Sequence, residues 1–181
     1  MKGVVFTEFL DFVEGAMGDE IVDDMIERAD LPSGGSYTAV GKYDYEEMAS
    51  LVTELAQLSG KPVPELLQAF GTHLLGRFHE GFPQFFEGKQ DTLDMLESVE
   101  NHIHVEVRKL YPDAELPTLD ARREGPDKLV VRYSSCRPLG DLCIGLIEGC
   151  ARHFDDSLTV THVPTADGLN IEIHRNAAQA A

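Results

Sequence analysis

Apolar residues recur every three or four positions through the first two-thirds of the chain, which is the spacing of amphipathic helices. The pattern predicts helices over residues 6–16, 18–29, 44–58, 65–80 and 91–110. Glycine and serine at residues 31–36 indicate a loop between the second and the third helix. The last helix should end at Tyr111-Pro112, because a proline disfavours helical backbone at the residue before it.

Beyond Pro117 the pattern becomes mixed. Residues 129–133 are β-rich, and residues 139–154 return to helical spacing. Residues 157–163 and 169–174 alternate like two strands of a hairpin joined at Ala166-Asp167-Gly168. The expected fold is α+β, with a helical N-terminal subdomain followed by a C-terminal antiparallel sheet with packed helices.

Composition limits the class of protein further. The 181 residues, 43% of them hydrophobic, suit one domain over residues 1–181, with a frayed tail at 177–181. The formal net charge of −17 disfavours nucleic acid and anionic membranes as partners. We find no apolar run of the roughly 20 residues that a membrane helix needs and no signal peptide. Three cysteines with no close pair indicate reduced thiols and a cytoplasmic protein.

His104 is the most informative of seven histidines because of its place on the predicted helix. At about 100° per residue, it shares one narrow stripe with apolar side chains, whereas His102 points the opposite way. The stripe consists of Leu93, Leu96, Glu100, His104, Val107 and Tyr111. A buried imidazole needs a partner for each ring nitrogen, and iron could serve one of them. A hydrogen-bonded core histidine is the alternative.

Other residues admit further hypotheses. His73 and Arg77, four apart on one predicted helix, are a candidate acid/base pair. His162 and His174 lie on neighbouring predicted strands, but a zinc site there lacks a nearby cysteine pair. A cysteine pair seven residues apart on one helix face, at positions 143 and 150, indicates buried small residues.

Tyr133, Ser135 and Arg137 form a candidate carboxylate clamp. Side chains alternate across a strand, so these three are expected on one face. Tyrosine and serine offer hydroxyl donors, and the planar guanidinium of arginine matches a carboxylate. Pro138 should then end the strand. A half-buried strand with a solvated polar face is the alternative.

In these motifs the chain resembles the haem-nitric oxide/oxygen binding (H-NOX) domains, which are related to the haem domain of soluble guanylate cyclase. The resemblance runs essentially end to end. The residues that carry it are Met1-Lys2-Gly3, His104, Tyr111-Pro112, Pro117, Tyr133-x-Ser135-x-Arg137 and Gly145-Leu146-Ile147-Glu148-Gly149.

The resemblance implies a non-covalent haem b buried between the helical part and the sheet. His104 matches the proximal iron ligand, Pro117 matches the proline that presses on the porphyrin, and the clamp residues match the propionate anchors. The positions that match the lining of the pocket are Val5, Phe9, Leu74, Phe78, Leu142 and Leu146.

The resemblance also implies a ligand and an output. Oxygen-binding members carry a distal tyrosine where this chain has Leu142, so we expect NO to bind and O₂ to be excluded, with CO as a possible further ligand. NO is expected to release His104 and shift its helix. The chain has no room for an output domain, so we expect a separate histidine kinase or cyclic-di-GMP enzyme as partner, and no enzyme activity in the chain itself. An O₂ carrier, a haem enzyme that uses His73 and Arg77 as its distal acid/base pair, and a haem-free interaction module are the rival hypotheses.

Overall fold

The fold is given by a computed structural model that describes residues 1–176. The predicted frayed tail at 177–181 lies outside the described residues. The helices of the first two-thirds confirm the periodicity, with ends that differ from the prediction by three residues at most. The α-helices are α1 (Gly3–Met17), α2 (Asp19–Arg28), α3 (Tyr45–Ser59), α4 (Val63–Gly81), α5 (Thr92–Ser98), α6 (His104–Leu110) and α7 (Gly140–Phe154).

The third helix shows how local sequence sets helix ends. Gly60 follows α3 with a φ of 68°, in the left-handed region that glycine adopts without steric cost. Asp44 precedes the helix, but within the described residues its side chain makes no capping hydrogen bond. The first turn of α4 contains Pro64, whose fixed φ suits that position.

The helix predicted over residues 91–110 is not continuous. Between α5 and α6 lies a π-helical turn, Val99–Ile103, in which the His104 amide donates to the carbonyl of Val99. Such a turn fits one extra residue into the helix and is frequent at functional sites. The prediction of a single α-helix is therefore wrong at the turn that leads into His104.

A four-stranded antiparallel sheet follows the helices. Its strands are β1 (Thr118–Arg123), β2 (Lys128–Ser134), β3 (Leu158–Pro164) and β4 (Gly168–Arg175), in the order β1-β2-β4-β3. The hairpin and the strand around residues 129–133 confirm the prediction, whereas β1 was not expected. Together, the helices and the sheet confirm the α+β fold class.

Helix α7 lies between the helical part and the sheet. Leu142 belongs to the core of the helical part, and the adjacent Cys143 belongs to the core that covers the sheet. Helix α7 also packs on α4, so closely that a Cβ atom at Gly145 would lie 2.1 Å from the carbonyl oxygen of Gln68. In the described part of the chain, no helix combines the length and the hydropathy needed to cross a membrane.

Candidate cofactor site

His104 is a largely buried histidine with one ring nitrogen unused by the protein. It is the first residue of α6, and 9% of its surface is exposed. Its Nδ1 atom lies 3.0 Å from Oε2 of Glu100, and its Nε2 atom makes no hydrogen bond to any residue in the range 1–176. The ring therefore offers a free nitrogen whose orientation is fixed from the opposite side.

The environment of His104 favours a neutral imidazole. Burial lowers the pKa of His104, and the hydrogen bond to Glu100 opposes that shift only in part. Burial alone would raise the pKa of Glu100, but the Leu119 amide, His104 and Arg108 together lower it. A neutral ring beside a carboxylate is the protonation state in which histidine binds a metal ion.

Glu100 joins the π-helical turn, α6 and the sheet. In addition to His104, its Oε2 atom accepts from the amide of Leu119 at 3.2 Å, and its Oε1 atom accepts from Arg108 at 3.1 Å. Leu119 is the second residue of β1 and lies close after Pro117, which is half-buried. Glu100 was expected on the stripe of His104, but no role was predicted for it; its i,i+4 spacing from the histidine is the signal for their contact.

The clamp residues come together, but not on one face of a strand. Tyr133 is buried on β2, which ends at Ser134. Ser135 begins a turn: its amide donates to Asp167 at 2.9 Å, and its hydroxyl accepts from the amide of Arg137 at 3.1 Å. The expectation that all three residues lie on one strand was therefore wrong: β2 ends at Ser134, and the hydrogen bond from the Arg137 amide to the Ser135 hydroxyl turns the chain before Pro138. Burial raises the pKa of the Tyr133 phenol, so it stays protonated and can donate.

Arg137 already holds a carboxylate in this structure. Its guanidinium pairs with the carboxylate of Glu115 and donates to the Glu115 carbonyl at 3.1 Å, with 13% of the arginine side chain exposed. Lys42 lies 3.2 Å from the same carboxylate. Hydrogen bonding to Lys42 and the charges of Lys42 and Arg137 lower the pKa of Glu115. Glu115 was missed in the sequence analysis, and no pattern in the sequence marks it.

The six expected lining residues all lie in or against one apolar cluster, the core of the helical part. Phe9, Leu74 and Leu142 are buried in it, and the remaining three pack against it: Val5, Phe78 and Leu146. The ring of Phe9 meets Phe70 edge-on, with centroids 5.1 Å apart. The structure thus brings residues from α1, α4 and α7 to one apolar wall.

The other candidate histidines occupy different places. His73 and Arg77 both face Glu8, at 3.9 Å and 2.8 Å, and the ring of His73 also packs on Phe12, with centroids 5.4 Å apart. His162 and His174 are not opposite each other, since His174 pairs with Thr159 across the hairpin. Among the residues that the structure describes, no group of three or more histidine, cysteine or acidic side chains is arranged to hold a metal ion.

Neither the cysteines nor the surface cavities supply a candidate cofactor ligand. Cys143 and Cys150 are buried as expected, and burial raises the pKa of each thiol to about 12, whereas Cys136 is exposed. A surface cavity of about 450 Å³ lies between α4 and α7, and one of about 380 Å³ lies between α2 and α3. Neither cavity is lined by His104 or by a clamp residue. The candidate site is therefore defined by the side chains that could hold a cofactor and not by a cavity.

These residues fit a non-covalent haem. A buried imidazole with one free nitrogen suits axial ligation of iron. A guanidinium that already holds a carboxylate, near the hydroxyls of Tyr133 and Ser135, suits propionates. The fold and this donor set define a haem-binding class of protein.

Comparison with known proteins agrees with this class. The family model for haem-NO-binding domains matches residues 2–162. The H-NOX protein of K. algicida, in its Fe(II) unliganded state, is 36% identical over 100% of both chains, with a TM-score of 0.93. The H-NOX from Shewanella woodyi, in its Fe(II)CO state, is 36% identical over 100% of this chain and 97% of its own, with a TM-score of 0.83.

More distant relatives share the fold. The H-NOX protein of S. oneidensis, in its Fe(II)NO state, is 26% identical over 98% of this chain and 100% of its own, with a TM-score of 0.90. No curated protein matches the chain. The chain belongs to the haem-NO-binding family of H-NOX domains, which are haem-binding gas sensors and are not catalytic themselves.

Proposed function

We propose that residues 1–181 form one sensor domain that binds NO at ferrous haem b and excludes O₂. The free Nε2 nitrogen of the buried His104 carries the proposal, as the axial ligand of the iron. Bound haem supplies the iron atom at which a diatomic gas coordinates. The Fe(II)NO state of the S. oneidensis relative and the Fe(II)CO state of the S. woodyi relative support NO, and also CO, as ligands.

The propionates are held by Tyr133, Ser135 and Arg137. The ion pair between Arg137 and Glu115 supports this role, because a propionate is chemically the same acceptor. Glu115 must release at least part of the guanidinium when a propionate binds there. Pro117 lies between α6 and β1 and is assigned the contact that presses on the porphyrin.

Selectivity for NO comes from the apolar wall. Bound O₂ gains partial negative charge and needs a hydrogen-bond donor, whereas NO binds ferrous haem tightly without one. Leu142, Phe9 and Leu74 offer only hydrocarbon, and all three are buried. A wall of this kind leaves bound O₂ without stabilisation, so we assign it to the distal side.

Signalling begins when His104 leaves the iron on NO binding. His104 is the first residue of α6, and the π-helical turn directly precedes it. Movement of His104 therefore displaces a short helix that is joined to α5 by this turn and not by continuous α-helix. A separate partner protein reads the displacement, and we infer a histidine kinase or a cyclic-di-GMP enzyme. The net charge of −17 suits a basic contact surface on that partner.

The visible absorption spectrum of the reduced protein, with and without NO, tests the proposal. We expect a haem spectrum that changes on adding NO to one without a bound histidine, and no stable oxygen complex in air. His104→Gly should alter the unliganded spectrum and leave the NO-bound spectrum nearly unchanged. A colourless protein despite haem supply, or a histidine that stays bound at every NO concentration, would contradict the proposal.

The rival functions receive less support from the structure. A haem enzyme needs a polar pair at the distal side, but His73 and Arg77 are turned toward Glu8. An O₂ carrier needs a donor where Leu142 stands. Turnover of hydrogen peroxide or a persistent oxygen complex would revive them.

A further inference from the structure

We propose that Glu100 is a positioning residue for His104. Its carboxylate accepts the Nδ1 proton of the imidazole, aims Nε2 at the iron and strengthens Nε2 as an electron donor. This inference rests on the proposed role of His104 as axial ligand. Glu100 belongs neither to the propionate clamp nor to the apolar wall.

The geometry of the pair fits a hydrogen bond from histidine to carboxylate. The 3.0 Å separation of Nδ1 and Oε2 is a hydrogen-bond distance, and the histidine is the more buried partner. Because Nδ1 faces a carboxylate, it carries the proton, and Nε2 is left with its lone pair. The hydrogen bond thus selects the tautomer that a metal ion requires at Nε2.

The carboxylate of Glu100 is itself held in place. The amide of Leu119 in β1 and the guanidinium of Arg108 in α6 also donate to it. With 24% of the Glu100 side chain exposed, these three donors restrict its rotamer. The imidazole is therefore oriented relative to the sheet and not only relative to its own helix.

The carboxylate also changes the ligand strength of the imidazole. A metal-bound histidine that donates its other N–H to a carboxylate becomes a stronger ligand, and loss of such a partner commonly changes metal affinity or activity 10–100-fold. Arg108 withdraws part of this effect, because its positive charge lies 3.1 Å from Oε1 of the same carboxylate. Glu100 and Arg108 should thus act on the iron with opposite signs.

A purely structural role for Glu100 is the alternative. By accepting from Leu119, the carboxylate ties the π-helical turn to β1, and that contact alone would affect stability. Stability measurements cannot separate the two roles. The properties of the iron can separate them. A carboxylate that only connects the helix to the strand gives no reason for variants at Glu100 and Arg108 to change those properties in opposite directions.

The test compares three variants of the haem-loaded protein: Glu100→Gln, Arg108→Gln and Glu106→Gln. Glutamine keeps the shape and an acceptor oxygen at position 100 but removes the charge. Glu106 pairs with Lys109 at 2.6 Å and is the matched control on the same helix. The readouts are the iron–histidine stretching frequency of the unliganded ferrous protein and the midpoint potential of the iron.

For Glu100→Gln we expect a lower stretching frequency and a roughly tenfold shift toward the ferrous form, which is about +59 mV. Arg108→Gln should move both readouts the opposite way, and Glu106→Gln should leave both unchanged. Unchanged readouts in Glu100→Gln, in a protein whose ferrous iron does show a histidine stretch, would overturn this inference alone. Absence of that stretch from the unmodified protein would overturn the proposed function instead.

Discussion

Alanine at Gly145 should force α4 and α7 apart. The added methyl carbon would lie 2.1 Å from the Gln68 carbonyl oxygen, and real Cβ atoms essentially never come within 3.0 Å of a neighbour. The two helices must therefore separate by about 0.9 Å, because the obstacle is backbone and cannot rotate away. Thr72 would also lose its 3.2 Å hydrogen bond to the Gly145 carbonyl.

The expected cost follows from two opposing effects. Overpacking of a tight contact costs about 1–3 kcal/mol, and backbone against backbone belongs at the upper end. Replacing glycine by alanine inside a helix stabilises the folded state by about 1 kcal/mol. The free energy of unfolding should therefore fall by about 2 kcal/mol, which lowers Tm by about 4–8 °C in a chain of this length.

Urea denaturation and thermal melting of Gly145→Ala measure this cost, with Gly76→Ala as the control. Gly76 lies in α4, is exposed, and has no atom within 4 Å of an added Cβ. That control should gain about 1 kcal/mol from helix propensity alone. If the two variants prove equally stable, the close contact of α4 and α7 does not constrain the fold and the reasoning fails.

Three further predictions concern the clamp, the apolar wall and the buried thiols. Leu142→Tyr places a donor in the wall and should raise O₂ affinity about tenfold, the effect of a hydrogen bond of about 1.4 kcal/mol. Absorption spectra recorded while O₂ pressure is raised measure this change, and phenylalanine at position 142 should leave O₂ binding as weak as in the unmodified protein. Arg137→Ala should speed haem loss about 10–100-fold, because charge-assisted hydrogen bonds contribute about 1.5–3 kcal/mol. The control Arg132→Ala, at an exposed position, should not change the rate. Equal rates of haem transfer from the two variants to a haem scavenger would contradict this prediction. Because folding raises the thiol pKa of Cys143 and Cys150 from 9.0 to about 12, the unfolded chain loses these protons first, and the free energy of unfolding should fall as pH rises above 9. Urea titrations at pH 8 and pH 10 should show a smaller fall when both cysteines are replaced by alanine.

The sequence predicted those elements whose burial repeats regularly. The helices of the first two-thirds and the β3–β4 hairpin have one apolar side each, and that periodicity is local. Strand β1 was missed because Thr118–Arg123 carries only Leu119 and Ala121 as apolar residues. Its pairing with β2 and its contact with α5 hold it in the sheet, and these are long-range contacts.

The site divides in the same way. The motif residues could be named because they occur at fixed intervals, and the burial of His104 follows from its helical stripe. The π-helical turn could not be foreseen, since it depends on which carbonyl the His104 amide selects. The contacts of Arg137 with Glu115 and of Glu100 with Leu119 join residues about twenty positions apart, and no pattern of period two or four reports them.

The unequal exposure of the three cysteines gives the native chain a ready attachment point for a reporter group. Maleimides and nitrosating agents react with accessible thiolates, and the two inner sulfur atoms are both covered and protonated. Cys136 stands at the surface between Ser135 and Arg137. A fluorophore or spin label there would follow cofactor uptake from inside the clamp, with no residue of the protein replaced.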